Sequence, residues 1–540
     1  MNILAKFPRP YDPTPLQVET LNRLGKVLDN KDKKFVIIQA PTGTGKSFIS
    51  RTLGNTTKEP SEDYKELVRS YDAFKRNGTG LANEEQILAE KPFGCTVLTI
   101  TKTLQDQYED LFMETDVFKG KSNYQCSIDE TKDVEIAVCR VAKNQRTQCW
   151  KEKCCTYYEA RNEAILSTFS CLNYKVFLTL PYQFKRKSVI VCDEASELED
   201  EIIRMFSATI TYDKLEKLGV KVVKLASDSP ARAKEWLKTL ANDLESQIEF
   251  YLKNKVKAKV IDPDQAKAKG LQKTFDSISS VIKHWDEVPY IIEKNAQKVI
   301  FTPSLASGLS RHIFDHADRI VLLSATIIDH KRFARSLGIT DYEFIDVDST
   351  FDSKNAPIHV APQIKLNKDN LVSSMGTINK IIEEIVNQHK DDKGLIHTHS
   401  HQITSLVKEH FINKTKRFLY REQGLENHEM LTLHKETGDP TVLVSPSMAF
   451  GVDLPDDLAR FQIIIKLPYP SLGDKRIKYM FDNDRQWYVN KMLTYLVQAC
   501  GRGIRHQEDH CTTYILDGNV VNVLRDQGKV LPGYFVDRFV

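Results

Sequence analysis

The sequence predicts an α/β protein with a parallel sheet at each end of the chain and inserted segments between the strands. Short β-branched runs alternate with longer helical patterns at both ends, which is the order that parallel sheets require. The first run leads into a glycine-rich loop that ends in Lys-Ser, and a later apolar run ends in Asp-Glu. Chemistry-bearing residues therefore fall at strand ends, where open parallel sheets bind ligands.

The expected strands are 35–39, 96–100, 188–192, 320–323, 394–397, 441–445, 461–465 and 513–516. Three stretches interrupt them. Residues from about Gly54 to Pro92 are polar, carry Gly78 and Gly80, and read as a surface insertion. A cysteine-rich stretch runs from about Gly120 to Ala160. From about Tyr212 to Asn295, Lys, Glu, Ala and Leu recur at helical spacing without a strand-like run of comparable strength, so this stretch reads as a helical subdomain. Cys171, in "CLNYKVFL", belongs to a buried strand that enters the acidic motif.

A chain of 540 residues holds three or four units at about 150 residues each. With 41% hydrophobic and 28% charged residues, it is globular, neither largely disordered nor collagen-like. Apolar runs such as Ile320–Ala325 and Ile463–Ile465 fall far short of the roughly 18 residues a membrane span needs. Met1–Tyr11 shows prolines and no apolar secretory core, so no membrane partner and a cytoplasmic location are expected. The net charge of +3 does not forbid nucleic-acid binding, which depends on where the basic residues cluster.

After the first strand comes Ala40-Pro41-Thr42-Gly43-Thr44-Gly45-Lys46-Ser47, then a helical pattern. Glycines let backbone N–H groups turn inward on phosphates, Lys46 reaches the β and γ phosphates, and the Ser47 hydroxyl ligates Mg²⁺. The helix that starts there adds its positive end. Ala40 stands where the general pattern has glycine. The run Val189–Cys192 delivers Asp193 and Glu194 to a strand end. In partnership with the loop, Asp193 would hold Mg²⁺ through water and Glu194 would orient and deprotonate an attacking water; alone, such a pair often caps the following helix.

Near the C-terminus, Gln498-Ala499-Cys500-Gly501-Arg502-Gly503-Ile504-Arg505 sets two arginines three apart, on one face of an expected helix. Two guanidinium groups aimed together suit the charge on a transferring phosphoryl group, although a solvated helix face has the same pattern. Five cysteines, Cys126, Cys139, Cys149, Cys154 and Cys155, fall within thirty residues. In a reducing compartment this is a metal or iron–sulfur site rather than a disulfide framework, and spacing alone leaves a Cys₄ zinc site open.

These motifs, with "TKTLQDQ" at Thr101–Gln107, Leu323-Ser324-Ala325-Thr326, "GLIHTHS" at Gly394–Ser400 and "GVDLP" at Gly451–Pro455, stand in the order found in superfamily 2 helicases. The chain most resembles the iron–sulfur XPD/DinG family. The resemblance implies two RecA-like domains with ATP and Mg²⁺ in the cleft between them. It implies a first domain at 1–119 (with the polar insertion at about 54–92), 161–211 and 296–348, an iron–sulfur domain at 120–160, a helical arch at 212–295 and a second RecA-like domain at 349–540. The nucleotide site would use Gln17 for adenine, Thr42 to Ser47 (Thr42, Gly43, Thr44, Gly45, Lys46 and Ser47), Asp193, Glu194, Asp453, Gln498, Arg502 and Arg505. A 4Fe-4S cluster would be held by Cys126, Cys139, Cys149 and Cys155, leaving Cys154 spare.

The same resemblance implies that Thr101, Lys102, Thr103, Ser445 and Met448 hold single-stranded DNA. Lys121, Arg140, Lys143 and Arg146 would supply charge near a fork, and Tyr124 and Trp150 stacking surfaces. The expected protein is a monomeric, DNA-stimulated ATPase that moves 5′ to 3′ and opens duplex, in a bacterial or phage-infected cell. One departure matters: Ser196 stands where the family usually has His, which puts the coupling between nucleotide and DNA sites in doubt. An ATP-controlled clamp or remodelling factor with weak unwinding is the alternative.

Overall fold

The computed structural model describes residues 2–76, 80–128, 130, 133–135, 155–253, 263–349, 351–360, 364–420, 427–446, 454–504 and 508–540. Two separate parallel sheets carry the chain, as the alternating pattern predicts. The first uses β1 (Phe35–Gln39), β2 (Cys95–Thr99), β3 (Asp116–Phe118), β4 (Phe169–Asn173), β5 (Lys187–Asp193), β9 (Ala317–Ser324) and β10 (Tyr342–Asp346), in the order β10-β1-β9-β5-β2-β4-β3. All its pairings are parallel, so each connection crosses over and helices cover both faces. Successive residues of β1 feed opposite cores: Val36 and Ile38 pack on one face, Ile37 on the other.

The second sheet contains β11 (Ile358–Val360), β12 (Gly394–His397), β13 (Phe418–Tyr420), β14 (Val442–Ser445), β15 (Phe461–Ile464) and β16 (Thr512–Ile515), in the order β11-β16-β15-β12-β14-β13. It too is wholly parallel. All eight expected strands are present, within a residue or a few at their ends. No described helix is long and apolar enough to cross a membrane.

The stretch read as a helical subdomain is helical in its body and carries one strand, β7 (Tyr290–Lys294), at its end. Its body is the helices Pro230–Lys253 and Pro263–Lys283. Its root is an antiparallel sheet of β6 (Ala208–Thr211), β8 (Lys298–Pro303) and β7 (Tyr290–Lys294), in that order. Of β7's five residues only Ile292 is buried, so the strand has too little apolar alternation to stand out beside long helices. At this root Glu287 accepts from His284 Nδ1 and His312 Nε2 at 2.9 Å each and pairs with Arg311 at 2.9 Å. Against the effect of burial, these partners hold its carboxyl down to about 2. The polar insertion is also ordered, as helices Glu62–Arg76 and Gly80–Ala89. Tyr64, Val68 and Ile87 pack there with Ile165 and Phe184.

Candidate nucleotide site

The glycine-rich loop leaves β1 and enters the helix Lys46–Gly54. Gly43 and Gly45 have φ of 83° and 75°, a region that costs other residues energy. Space adds to the requirement at Gly45, where a Cβ would come 2.1 Å from Gln17 Nε2. Thr44 Oγ1 donates to the Pro41 carbonyl at 2.7 Å and Lys46 Nζ to the Ala40 carbonyl at 3.3 Å, so the loop keeps its turn and its cation across it.

Gln17 is buried, 6% exposed. It closes a capping box at the start of the Pro15–Asp29 helix: the Thr14 amide donates to Gln17 Oε1 at 2.9 Å and the Gln17 amide to Thr14 Oγ1 at 3.3 Å. Its Nε2 donates to the Thr44 carbonyl at 3.2 Å. The side chain thus braces the loop from behind and is not among the residues lining the cleft.

Asp193 ends β5 with 4% exposure. Burial and the neighbouring Glu194 push its carboxyl up to about 6, while Lys46 pulls the other way. Oδ1 accepts the Glu194 amide at 3.0 Å, and the Tyr108 hydroxyl lies 3.2 Å from Oδ2 and 3.2 Å from Ser50 Oγ. The carboxylate is the stronger acceptor of that proton. Tyr174 donates to the Asp193 carbonyl at 3.1 Å. Glu194 has φ of 50°, a left-handed conformation that a non-glycine residue adopts at a cost and that clusters at functional sites.

The second sheet reaches this site through the helix Arg485–Cys500. Gln498 and Arg502 line a cleft of about 710 Å³ together with Lys46, Ser47, Asp193 and Glu194. The helix stops before the first of the two arginines, so Arg502 is not on a helix face. Gly501 caps the helix, and at Gly503 a Cβ would meet Cys511 Sγ at 2.3 Å. Arg502 therefore sits in the turn beyond the helix, and Arg505 lies outside the described residues.

Ser196 is 8% exposed and accepts from Ser324 Oγ at 3.0 Å and Gln498 Nε2 at 3.2 Å. One hydroxyl thus joins the acidic motif, the Ser-Ala-Thr motif and the helix from the second sheet. Among the described residues Gln498 Oε1 has no partner although it is buried, which leaves an acceptor at the cleft. An anion-cradling loop with its lysine, a carboxylate beside a serine hydroxyl, and this acceptor fit a nucleoside triphosphate with Mg²⁺.

Other expected site residues are scattered. Thr101, N-cap of the Lys102–Leu111 helix, lines the same cleft with Thr103; Lys102 Nζ donates to Asn123 Oδ1 at 2.6 Å. Ser445, at the end of β14, is only 1% exposed, so its side chain is not at an open surface. Met448 and Asp453 lie outside the described residues, as do Cys139, Cys149, Cys154, Arg140, Lys143, Arg146 and Trp150. Cys126 is buried and Cys155 precedes the helix Thr156–Leu166. Thr156 Oγ1 donates to the Gln125 carbonyl at 3.3 Å, which draws the two cysteine segments together. Two thiols on adjoining segments fit part of a Cys-held metal group, and Cys139 and Cys149, the other expected donors, lie outside the described residues. Tyr124 is not an open stacking surface: its ring packs against Phe118 and Tyr157 and its hydroxyl accepts the Lys119 amide. Cys171 is a core residue.

Residues 382–534 match the helicase C-terminal domain family. An XPD helicase structure superposes with a TM-score of 0.63 at 15% identity, covering 95% of this chain and 98% of that one. The chain has the fold of the XPD helicase structures. An apo XPD structure matches this XPD-like chain with a TM-score of 0.56 at 13% identity, covering 94% of this chain and 98% of that one. For S. tokodaii Xpd4 the TM-score is 0.51 at 14% identity, with 94% and 97% covered. No curated protein matches at significant sequence similarity. At these identities the structures share the fold with the XPD-like chain, and the chemistry rests on its own residues.

Proposed function

We propose that the chain is an ATP-dependent DNA helicase whose hydrolysis is stimulated by DNA and which moves 5′ to 3′ on single strands to unwind duplex. The observation that carries this reading is the meeting, in one cleft, of Lys46, Asp193 and Glu194 from the first sheet unit with Gln498 and Arg502 from the second. Lys46 balances phosphate charge, Ser47 and Asp193 would hold Mg²⁺, and Glu194 orients the attacking water and takes its proton. Mg²⁺ there would neutralise charge developing between the β and γ phosphates. Arg502, with Arg505, would answer the charge on the transferring phosphoryl group from the opposite wall.

On this reading the chain divides into RecA-like domain 1 (1–119, 161–211 and 296–348), a cluster domain (120–160), an arch (212–295) and RecA-like domain 2 (349–540). Cys126, Cys139, Cys149 and Cys155 hold a 4Fe-4S cluster that ties four chain positions together. Single-stranded and forked DNA are the partners, with Thr101–Thr103 and the segment after Ser445 along the strand, in replication or repair. Ser196 is the feature that would favour a clamp with weak unwinding, and its two hydrogen bonds supply a coupling path that supports the motor instead. ATP hydrolysis with and without single-stranded DNA tests the reading: stimulation is expected, and ATP-independent binding with no turnover would refute it.

A further inference from the structure

Beyond the cleft, the two sheet units meet through buried charges that the nucleotide chemistry does not use. The helix Leu198–Met205 begins just after Glu194 and carries Glu199 and Asp200. Facing them are Arg476, on the helix Lys475–Asn483, and Trp487 and Lys491 on the helix that ends in Gln498 and Cys500. Glu199 Oε1 lies 2.5 Å from Arg476 Nη2, and Trp487 Nε1 donates to Glu199 Oε2 at 2.9 Å. Lys491 Nζ donates to Asp200 Oδ2 at 2.9 Å and lies 3.8 Å from Glu199 Oε2; Arg476 Nη1 lies 3.6 Å from Asp200 Oδ1.

The side chains of Glu199, Arg476 and Lys491 are 6%, 5% and 10% exposed, so this is not a solvent-screened pair of the kind that contributes little. Two carboxylates meet two cations, with Glu197 also acting on Lys491 and Arg204 on Asp200. Burial works against the Lys491 charge, yet Asp200 and Glu199 raise its pKa; against the same burial, Lys491 and Arg476 hold Asp200 low. Removing one member leaves a buried charge without its counterpart, which is far more costly than losing a surface bridge.

The placement gives these contacts a direction. Trp487, Lys491 and Gln498 are spaced by four and seven residues, so they share one face of their helix. Asp484, the N-cap of that helix, pairs with Arg332 of the first unit at 2.7 Å. The helix is thus docked on the first unit from its N-terminus to Gln498, which reaches Ser196. A packed helix moves as a body, so a shift at Glu199 or Asp200 carries Gln498 and Arg502 with it.

We propose that Glu199 and Asp200, with Arg476 and Lys491, are positioning residues that set the register of Gln498 and Arg502 against Glu194. The proposal rests on the ATPase reading above and deepens it, because none of the four touches the phosphate loop. Their loss should slow the chemical step and leave nucleotide binding in place.

The test uses the full-length protein and four variants: Glu199→Gln, Asp200→Lys, Lys491→Asp and the exchange Asp200→Lys/Lys491→Asp. Measured for each are the affinity for a fluorescent ADP, the kcat and KM for ATP, and hydrogen exchange of the backbone amides in 485–500. Glu199→Gln keeps shape and removes charge. It should lower kcat by about tenfold or more with nucleotide affinity and KM within about twofold, and speed exchange in 485–500. Each single charge reversal should do the same, and the exchange variant should recover kcat to within about threefold of wild type.

An unchanged kcat in Glu199→Gln, or an exchange variant no better than the worse single, overturns the proposal. Equal losses of kcat and affinity overturn it too, since they mean general damage. Should a charge reversal fail to fold, Glu199→Gln alone decides. A wild-type protein that binds ADP but does not hydrolyse ATP refutes the ATPase reading instead; the exchange measurement then reports on docking, and unchanged exchange in Glu199→Gln overturns the seam.

Discussion

Replacing Ser196 with alanine removes one hydroxyl and leaves two buried donors, Ser324 Oγ at 3.0 Å and Gln498 Nε2 at 3.2 Å, without their acceptor. Ser324 is fully buried and Ser196 nearly so, so water does not readily replace the lost oxygen. A buried donor left unsatisfied costs about 1–3 kcal/mol. Because this hydroxyl holds Gln498 of the second unit beside the acidic motif, its loss misplaces a group that lines the cleft; a cost of about 1.5–3 kcal/mol in the transition state is about one to two decades in rate. Steady-state hydrolysis at saturating ATP, with and without single-stranded DNA, should show kcat lowered by that factor and KM within about twofold. Gln498→Ala should lower kcat at least as much, since it loses the same bond and the acceptor at the cleft, and the double variant should fall short of the sum of the singles because they share that bond. Wild-type turnover in Ser196→Ala, or additive losses in the double variant, would refute coupling through this hydroxyl.

Lys46→Ala should abolish turnover, and Glu194→Gln should do so while still binding nucleotide, as equilibrium binding with a fluorescent ADP will show. Because burial and Glu194 push the metal-free Asp193 carboxyl up to about 6, Mg²⁺ and the proton compete there, and the Mg²⁺ concentration needed for half-maximal turnover should rise as pH falls through that value. Tyr108→Phe removes a hydrogen bond that favours the carboxylate and should move this rise to higher pH. Arg502→Ala should lower kcat with little change in nucleotide affinity, as expected of a group that answers transition-state charge. Anaerobically purified protein should be brown and hold about four irons per chain. Serine at Cys126 or Cys155 should bleach it and serine at Cys171 should not; stoichiometric zinc without visible absorbance would contradict the cluster.

The parts of the site that could be read from sequence are contiguous. A phosphate loop needs its glycines, lysine and serine within eight residues, and a strand-end carboxylate pair needs only the apolar run before it, so Lys46 and Asp193 declare themselves. What joins the halves is written nowhere locally. Ser196 meets Ser324 and Gln498 across 128 and 302 residues, and Glu199 meets Arg476 across 277. Tyr108 looks like any aromatic on a helix until β5 brings Asp193 beside it. Edge strands of three residues, such as β3, β11 and β13, carry too little pattern to detect. A spacing of three implies a shared face only while the helix continues, and Gly501 ends it before Arg502. The bond from Gln17 to Thr44 carries no local signal for a similar reason, because it requires the loop to fold back over the helix that Gln17 caps.

The most direct test of the central claim is strand displacement on two matched duplexes, one with a 5′ and one with a 3′ single-stranded tail, with ATP hydrolysis followed in the same reactions. The account predicts ATP-dependent opening of the 5′-tailed duplex, little opening of the other, and binding that weakens steeply with salt because backbone contacts release counterions. Opening of the 3′-tailed duplex alone would contradict the assigned direction. Failure on both, with hydrolysis still stimulated by DNA, would contradict the helicase claim.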